Sequence, residues 1–198
     1  LNQWGQYRWK DTAYLQELAE KEMKETKVLV FDMDGTIADL YGVQGWLEDL
    51  RMENTRPYEI ARPMYDMDTL NTILGMLKAQ GWKVVVTTWL AMESTVEYKQ
   101  ATRQAKLEWL AQYGFPYDEI HLVAYGTTKA NCTRKLGGYQ VLVDDNEKIR
   151  NGWTLGATID ANENIIEKLE EIPCILFVLQ EPWSKKKFVL KYMDTFKN

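Results

Sequence analysis

Short continuous apolar runs alternate along this chain with longer stretches whose apolar residues recur every three or four positions. The run Lys27–Phe31 is apolar and β-branched from its second residue on, which predicts a strand buried on both faces. Similar runs predict further strands at Lys83–Thr87, Glu119–Tyr125, Tyr139–Asp145, Ala157–Asp160 and Cys174–Leu179.

The stretches between these runs have helical spacing. Four helices are predicted. The first covers residues 11–25, and the second has Asp68 as its N-cap and Gly81 just past its end. The third begins at the capping box of Ser94 and Glu97, and the fourth lies around Ile165 and stops at Pro173. Strands that alternate with helices indicate parallel βαβ units, so the predicted class is α/β with a mostly parallel sheet. Ligands of such sheets bind at the carboxyl ends of the strands.

Composition narrows the class of protein. The 198 residues, 45% of them hydrophobic, suffice for a good core, and we expect a single domain over residues 1–198. No apolar run approaches the roughly 20 residues of a membrane helix, and the first residues lack the apolar core of a signal peptide, so we expect a cytoplasmic protein with no membrane partner. A net charge of −5 argues against a dedicated nucleic-acid binder.

Acidic side chains follow two of the predicted strands. Asp32 and Asp34 come directly after the first strand, with Gly35 in the turn, and Asp144 and Asp145 end the fourth. Carboxylates gathered at one edge of a sheet repel one another unless a cation neutralises them. Carboxylate and carbonyl oxygens suit Mg²⁺, whose usual substrate partner is a phosphate. The sequence therefore predicts a magnesium site and a phosphorylated substrate.

These residues also carry a resemblance to a known family. The stretch Asp-x-Asp-Gly-Thr after an apolar strand resembles motif I of the haloacid dehalogenase (HAD) superfamily. The other three motifs follow in order: motif II is matched by Thr87 at the end of a strand, motif III by a downstream lysine, and motif IV by the pair Asp144–Asp145. Lys129 is the best match for the lysine, although Lys135 lies nearby. The resemblance covers residues 27–160 and implies a HAD-like Rossmannoid three-layer α/β/α sandwich.

The resemblance implies a role for each matched residue. Asp32 would attack phosphorus to form an aspartyl-phosphate, and Asp34 would act as general acid and then general base. The metal would be held by the Asp32 carboxylate, the Asp34 backbone carbonyl and Asp144, with Asp145 close by. Thr87, or Thr88 if the register slips by one, would bind the phosphate together with Lys129. Lys129 would also act in catalysis by balancing the crowded negative charge.

Substrate choice in this superfamily depends largely on cap insertions. Here Tyr41–Met67, with two prolines and two glycines, is the only room for one, which predicts a small or rudimentary cap and an open site. Trp46, Tyr58, Tyr65 and Trp89 could form an aromatic wall for a base or a sugar. A looser similarity, in the runs VVVTTW and GTTK, is to the 5′(3′)-deoxyribonucleotidase branch.

The resulting prediction is a Mg²⁺-dependent phosphomonoester hydrolase acting on a nucleotide or another small phosphorylated metabolite. A phosphatase of nucleic-acid 3′ ends, a mutase on the same scaffold, and a non-catalytic HAD-fold binding or regulatory protein stay open as alternatives. For the tail 173–198 two interpretations stay open: an added edge strand with a helix from Lys185, or a homodimer contact.

Overall fold

The structure is a computed structural model that describes residues 26–177. Within it, Thr26–Lys168 form one compact unit, and residues from Leu169 on belong to a second. The predicted N-terminal helix at 11–25 and the tail from 178 on lie outside the described residues. The single-domain prediction for residues 1–198 therefore stays a prediction.

A five-stranded, entirely parallel sheet forms the centre of the compact unit. Two further short strands, β2 (Ala38–Asp39) and β3 (Arg62–Pro63), pair antiparallel beside it. The sheet strands are β1 (Lys27–Phe31), β4 (Trp82–Trp89), β5 (Glu119–Val123), β6 (Tyr139–Asp144) and β7 (Gly156–Asp160), in the spatial order β5-β4-β1-β6-β7. The predicted α/β class with a mostly parallel sheet is confirmed, and so are the first five predicted strands.

Helices connect the strands, as the apolar spacing predicts. They are α1 (Trp46–Arg51), α2 (Arg56–Ile60), α3 (Met67–Ala79), α4 (Val96–Gln112), α5 (Lys129–Thr133), α6 (Glu147–Asn151) and α7 (Ile165–Phe177). In the described part of the chain, no helix combines the length and apolar character needed to cross a bilayer.

Two predicted helix starts are wrong by one or two residues. The N-cap of α3 is Asp66, not Asp68, because the Asp66 carboxylate accepts a hydrogen bond from the Thr69 amide (3.3 Å). Likewise Thr95, not Ser94, caps α4, and its hydroxyl oxygen accepts a hydrogen bond from a backbone amide of the first turn (3.2 Å). Both caps have extended backbone angles, which is the conformation that lets a side chain reach back to the third helical amide.

The strand predicted at Cys174–Leu179 is also wrong over the described residues, because α7 continues through Pro173 to Phe177. Apolar residues recur at helical spacing on both sides of the proline, at 165, 169, 172 and 176. A proline disfavours a helix interior, yet an uninterrupted apolar stripe can outweigh that local preference.

The core is built around the central strand. Val28, Leu29, Val30 and Phe31 of β1 are all fully buried, because β1 has a neighbouring strand on each side. On one face Val28 and Val30 pack with residues of β4, α5, β6 and the loop after α6: Val85, Ala130, Leu142 and Trp153. The carboxyl end of β1 is therefore held by its neighbouring strands and by the core, and this packing fixes the position of the residues that follow it.

The segment between β2 and β3, residues 40–61, falls almost entirely within Tyr41–Met67, where the sequence predicts a small cap, and we refer to it as the cap. It contains α1 and α2, and four hydrogen bonds fasten it to α4 and its N-cap. The Glu53 carboxylate accepts hydrogen bonds from the amide and hydroxyl of Thr95 (2.7 and 2.6 Å). The Tyr98 hydroxyl donates to the Asn54 carbonyl oxygen (3.1 Å), and the Trp109 indole donates to the carbonyl oxygen of Ala61 (2.7 Å).

Candidate active site

Strand register brings the predicted site residues into one row. Phe31 pairs with Val86 on one side and with Val143 on the other. Asp32, one residue further on, therefore lies level with Thr87 and Asp144, and its amide donates a hydrogen bond to the Val143 carbonyl oxygen (2.9 Å). The carboxyl ends of three adjacent strands thus contribute polar side chains at one edge of the sheet, as expected for a ligand site in an α/β protein.

Lys129 joins two of these carboxylates. Its ammonium lies 2.7 Å from an oxygen of Asp32 and 2.6 Å from an oxygen of Asp144, and its side chain is 3% exposed. Lys135, the other candidate in the sequence, points elsewhere: its side chain is 69% exposed and its ammonium is 3.4 Å from Glu119. Of the two lysines, the structure brings Lys129 into the site.

The charges of the site are unbalanced. Asp32, Asp144 and Asp145 each offer an oxygen within 4.8 Å of the others, so three negative charges face the one positive charge of Lys129. Burial, and next the Asp32 carboxylate, raises the pKa of Asp144 to about 6, and the same two causes raise the pKa of Asp145. A hard divalent cation would remove this excess charge, and the donor set is the carboxylate type that Mg²⁺ takes. The residues present therefore fit the expected metal.

Hydrogen bonds hold the acidic pair at the end of β6. The amide of Asn146 donates to Asp144 (2.9 Å), and the Arg150 guanidinium donates to the Asp144 carbonyl oxygen (2.8 Å). The Asp145 amide in turn donates to the Thr36 hydroxyl oxygen (3.2 Å), which ties the turn after β1 to the end of β6. Such bonds orient carboxylates for a metal as well as stabilising the turn.

A cavity of about 430 Å³ opens over the acidic row. Asp32, Asp34, Lys129, Asp144 and Asp145 line its floor, and the rest of the lining is largely apolar and aromatic, including Tyr41, Trp46, Tyr58, Trp89 and Tyr125. Three of the four predicted aromatics are thus present. Tyr65 is not among the lining residues, because its hydroxyl donates to the carbonyl oxygen of Ala161 (2.7 Å).

Tyr41 and Tyr125 were missed by the sequence analysis. Each packs against an aromatic that was predicted: Tyr41 lies 5.0 Å from Trp46 between ring centroids, and Tyr125 lies 4.8 Å from Trp89. Both tyrosines are at least half exposed, so no burial pattern marks them in the sequence. Their positions two residues after the ends of β2 and β5 were the available signal.

The two threonines predicted to bind phosphate point to opposite faces of the sheet, as successive strand residues do. Both are fully buried, and neither is among the residues that line the cavity. The Thr87 hydroxyl makes no hydrogen bond to any residue of the described chain, whereas the Thr88 hydroxyl oxygen accepts one from Lys106 (2.7 Å). Phosphate binding by Thr87 or Thr88 therefore stays a prediction.

Lys106 is the most conspicuous residue that the sequence analysis missed. It lies on α4, its side chain is fully buried, and its ammonium is 2.5 Å from a carboxylate oxygen of Asp34. Burial raises the pKa of Asp34, although Lys106 acts in the opposite direction. The signal was available, since Lys106 continues the helical spacing of Tyr98, Thr102 and Trp109, all of which are buried.

Gly35 lies in the turn that follows Asp32 and Asp34 and leads towards the cap. Its φ is +77°, and a Cβ at this position would lie 2.5 Å from the Tyr41 ring and 2.8 Å from a carboxylate oxygen of Asp145. A side chain here would therefore combine a left-handed backbone with two close contacts in the site.

We expect Gly35→Ala to impair the site beyond its effect on the backbone. Gly81→Ala is the matched control, because Gly81 has φ +87° and a Cβ there would meet no atom within 4 Å. Both variants should lose about 1–2 kcal/mol of unfolding free energy through left-handed strain. Only Gly35→Ala should also reduce the thermal stabilisation that added Mg²⁺ gives, since Asp145 is displaced; equal Mg²⁺ responses in the two variants would contradict this.

Comparison with known proteins adds little to this geometry. No family model matches the chain, and no curated protein matches it. Among solved structures, a similar chain is a crystal structure of D,D-heptose 1,7-bisphosphate phosphatase from Burkholderia thailandensis, at 16% identity and a TM-score of 0.38, covering 64% of this chain and 71% of that one. A likeness this distant leaves the function to be argued from the site itself.

Proposed function

We propose that this chain is a Mg²⁺-dependent phosphomonoester hydrolase of the HAD superfamily that works through an aspartyl-phosphate. The observation that carries the proposal is the arrangement at the carboxyl edge of the sheet. Asp32 and Asp34 line one cavity with the Asp144–Asp145 pair, and Lys129 bridges Asp32 and Asp144. The order of these residues in the sequence, which resembles the superfamily motifs, supports the same function.

The chemistry divides between the two aspartates that follow β1. An Asp32 carboxylate oxygen attacks phosphorus while the bond to the leaving-group oxygen breaks, and Asp34 gives that oxygen its proton. Water then attacks the aspartyl-phosphate and loses a proton to Asp34, so that inorganic phosphate leaves and Asp32 is restored. Lys129 keeps positive charge beside Asp32 throughout, which favours a reaction that depends on positioning and charge stabilisation.

The metal would be held by the carboxylates of Asp32, Asp144 and Asp145 with the backbone carbonyl of Asp34. Bound there, Mg²⁺ would neutralise the carboxylates and stabilise the negative charge of the phosphoryl group. The chain's own residues prepare the site, because Asn146 and Arg150 hold Asp144 in place before any ligand arrives.

The cavity favours a leaving group with a flat apolar face. Beyond the acidic floor its lining includes Tyr41, Trp46, Trp89 and Tyr125, with Arg51 as a cation at the cap. Aromatic side chains stack on nucleobases with about 1–3 kcal/mol per base. A polyhydroxylated sugar phosphate would find few hydrogen-bonding partners on such a wall. We therefore propose a nucleoside monophosphate as the substrate class.

The test is a phosphate-release assay that varies one part of the substrate at a time. Deoxyribonucleoside 5′-monophosphates and deoxyribose 5-phosphate share the deoxyribose and the phosphate and differ in the base. With Mg²⁺ present we expect kcat/KM to be about tenfold or more higher for the nucleotides, as base stacking predicts. Removing Mg²⁺ with EDTA should stop both reactions, and Trp46→Ala should narrow the difference between the two substrates.

Other outcomes decide between the alternatives. Release from 3′-phosphorylated oligonucleotides, with none from mononucleotides, would favour a nucleic-acid 3′-end phosphatase. Transfer of phosphate to a sugar acceptor instead of water would indicate a mutase or transferase. No turnover of any phosphomonoester, with tight binding of Mg²⁺ and a phosphate mimic, would replace the enzyme proposal with a binding protein.

A further inference from the structure

Lys106 is a buried cation whose hydrogen-bonding capacity is entirely used. Its ammonium donates to Asp34 Oδ2 at 2.5 Å, to Thr88 Oγ1 at 2.7 Å and to the Trp89 carbonyl oxygen at 3.0 Å. A lysine ammonium has three hydrogens, so these three acceptors account for all of them. The side chain is fully buried, and it is therefore unable to bind a phosphate in the cavity.

The surroundings of Lys106 belong to three parts of the fold. Asp34 follows β1, Thr88 and Trp89 end β4, and the ring of Tyr58 from the cap lies 5.0 Å from the ammonium. Burying a lysine is costly unless it is paired, and a buried pair often stabilises a fold no more than apolar residues of similar size would. Fold stability alone is thus a weak reason for a lysine at this position.

What Lys106 does hold is the orientation of one carboxyl group. With Oδ2 bound to the ammonium, the other oxygen of Asp34, Oδ1, has no hydrogen-bond partner among the described residues, and Asp34 lines the cavity. Two acceptors at the end of β4 fix the ammonium, and the ammonium in turn fixes the Asp34 rotamer. The free oxygen is then the one available to a leaving group.

We propose that Lys106 is a positioning residue that holds Asp34 with its free oxygen towards the leaving-group oxygen of the substrate. This inference rests on the proposed function and adds a residue to it. In the first step Asp34 Oδ1 gives its proton to the leaving oxygen as the bond from that oxygen to phosphorus breaks and the bond from Asp32 to phosphorus forms. Lys106 neither gives nor takes a proton in this step.

The role predicts an effect that depends on the leaving group. An alkoxide from a nucleotide needs a proton to depart, whereas 4-nitrophenolate is a weak base and departs without one. Because kcat/KM of a two-step phosphatase reports events up to the first irreversible step, it isolates the transfer to Asp32 from the later hydrolysis. A misplaced Asp34 should therefore lower kcat/KM for a nucleotide far more than for 4-nitrophenyl phosphate.

The experiment compares Lys106→Met with wild type on a nucleoside 5′-monophosphate and on 4-nitrophenyl phosphate. A positioned general acid contributes about 10²–10⁴-fold, so we expect a loss of about 100-fold for the nucleotide and at most about threefold for the aryl ester. Lys99→Met, on the same helix but outside the cavity lining, is the control and should leave both unchanged. An equal loss on both substrates, or no loss on either, would overturn the proposal.

A second comparison decides the matter even where Lys106→Met fails to fold. Lys106→Met leaves the Asp34 carboxylate without its partner, whereas Asp34→Asn/Lys106→Met removes both charges together. If Lys106 acts through Asp34, the double variant should match Asp34→Asn within about threefold on the nucleotide, because a shared role is not additive. A further 100-fold loss would overturn the proposal, and a wild type that cleaves neither ester would instead overturn the proposed function.

Discussion

Asp32→Asn should abolish phosphate release, with a loss of at least about 10⁴-fold in kcat, which is the scale seen when a catalytic nucleophile is removed. Asparagine keeps the size and most hydrogen bonds of the side chain but is a far poorer nucleophile towards phosphorus. The measurement is phosphate release from a nucleoside monophosphate with Mg²⁺ present. Asp68→Asn, the same chemical change on an exposed residue of α3, is the control and should retain full activity.

The same substitution should not weaken the fold in buffer without divalent cations. Asp32→Asn reduces the acidic cluster from three carboxylates to two, while Lys129 keeps its contact with Asp144 at 2.6 Å. We therefore expect a melting temperature at or above that of wild type and a smaller increase on adding Mg²⁺. Such a trade of stability for function is common at active sites. A variant that retains more than about 1% of wild-type activity would contradict the role of Asp32.

Lys129→Met should destabilise the fold strongly. The ammonium lies within 2.7 Å of both Asp32 and Asp144, and its removal leaves two buried carboxylates facing each other with no cation. Breaking a buried ion pair in this way costs about 3–5 kcal/mol. We expect a loss of that size in EDTA by denaturant unfolding, partly restored by Mg²⁺, because the metal neutralises the same carboxylates.

The matched control is Lys135→Met, which removes an exposed lysine whose ammonium is 3.4 Å from Glu119. It should change the unfolding free energy by less than about 1 kcal/mol, as exposed ion pairs do. Activity should follow the same order, with Lys129→Met losing nearly all and Lys135→Met losing none. Similar losses in the two variants would mean that Lys129 does not serve the acidic row.

The positions of Asp32 and Asp144 could be predicted from the sequence because they follow from the positions of the strands. Apolar runs predict β1, β4 and β6 as parallel buried strands, and the polar residues at the carboxyl ends of parallel strands fall at the same edge of the sheet. Asp32 and Asp144 were found for that reason. Lys129 needed the family resemblance, since nothing in the spacing of GTTK separates it from Lys135.

The rest depended on contacts between segments distant in sequence. The cap has short helices and no long apolar stripe. Its position is set by hydrogen bonds to α4 and its N-cap, which the local sequence pattern of the cap does not predict. Lys106 was overlooked because a lysine is normally taken as the exposed face of a helix. Its burial requires Asp34, which is 72 residues away in the sequence. Tyr65 was predicted as part of the aromatic wall, but its hydroxyl donates a hydrogen bond to Ala161 and its side chain is not among the residues that line the cavity.

The four hydrogen bonds that join the cap to α4 and its N-cap have a consequence for the entrance of the cavity. A lid must swing on a hinge to admit and release a ligand, and such movements set the turnover rate of many enzymes. Here Glu53, Asn54 and Ala61 are hydrogen-bonded to residues of one long helix or its N-cap, so we expect the entrance to keep a nearly constant width. We therefore expect ligands to be selected by the fixed size of the entrance, and we expect turnover not to be limited by closure of a lid.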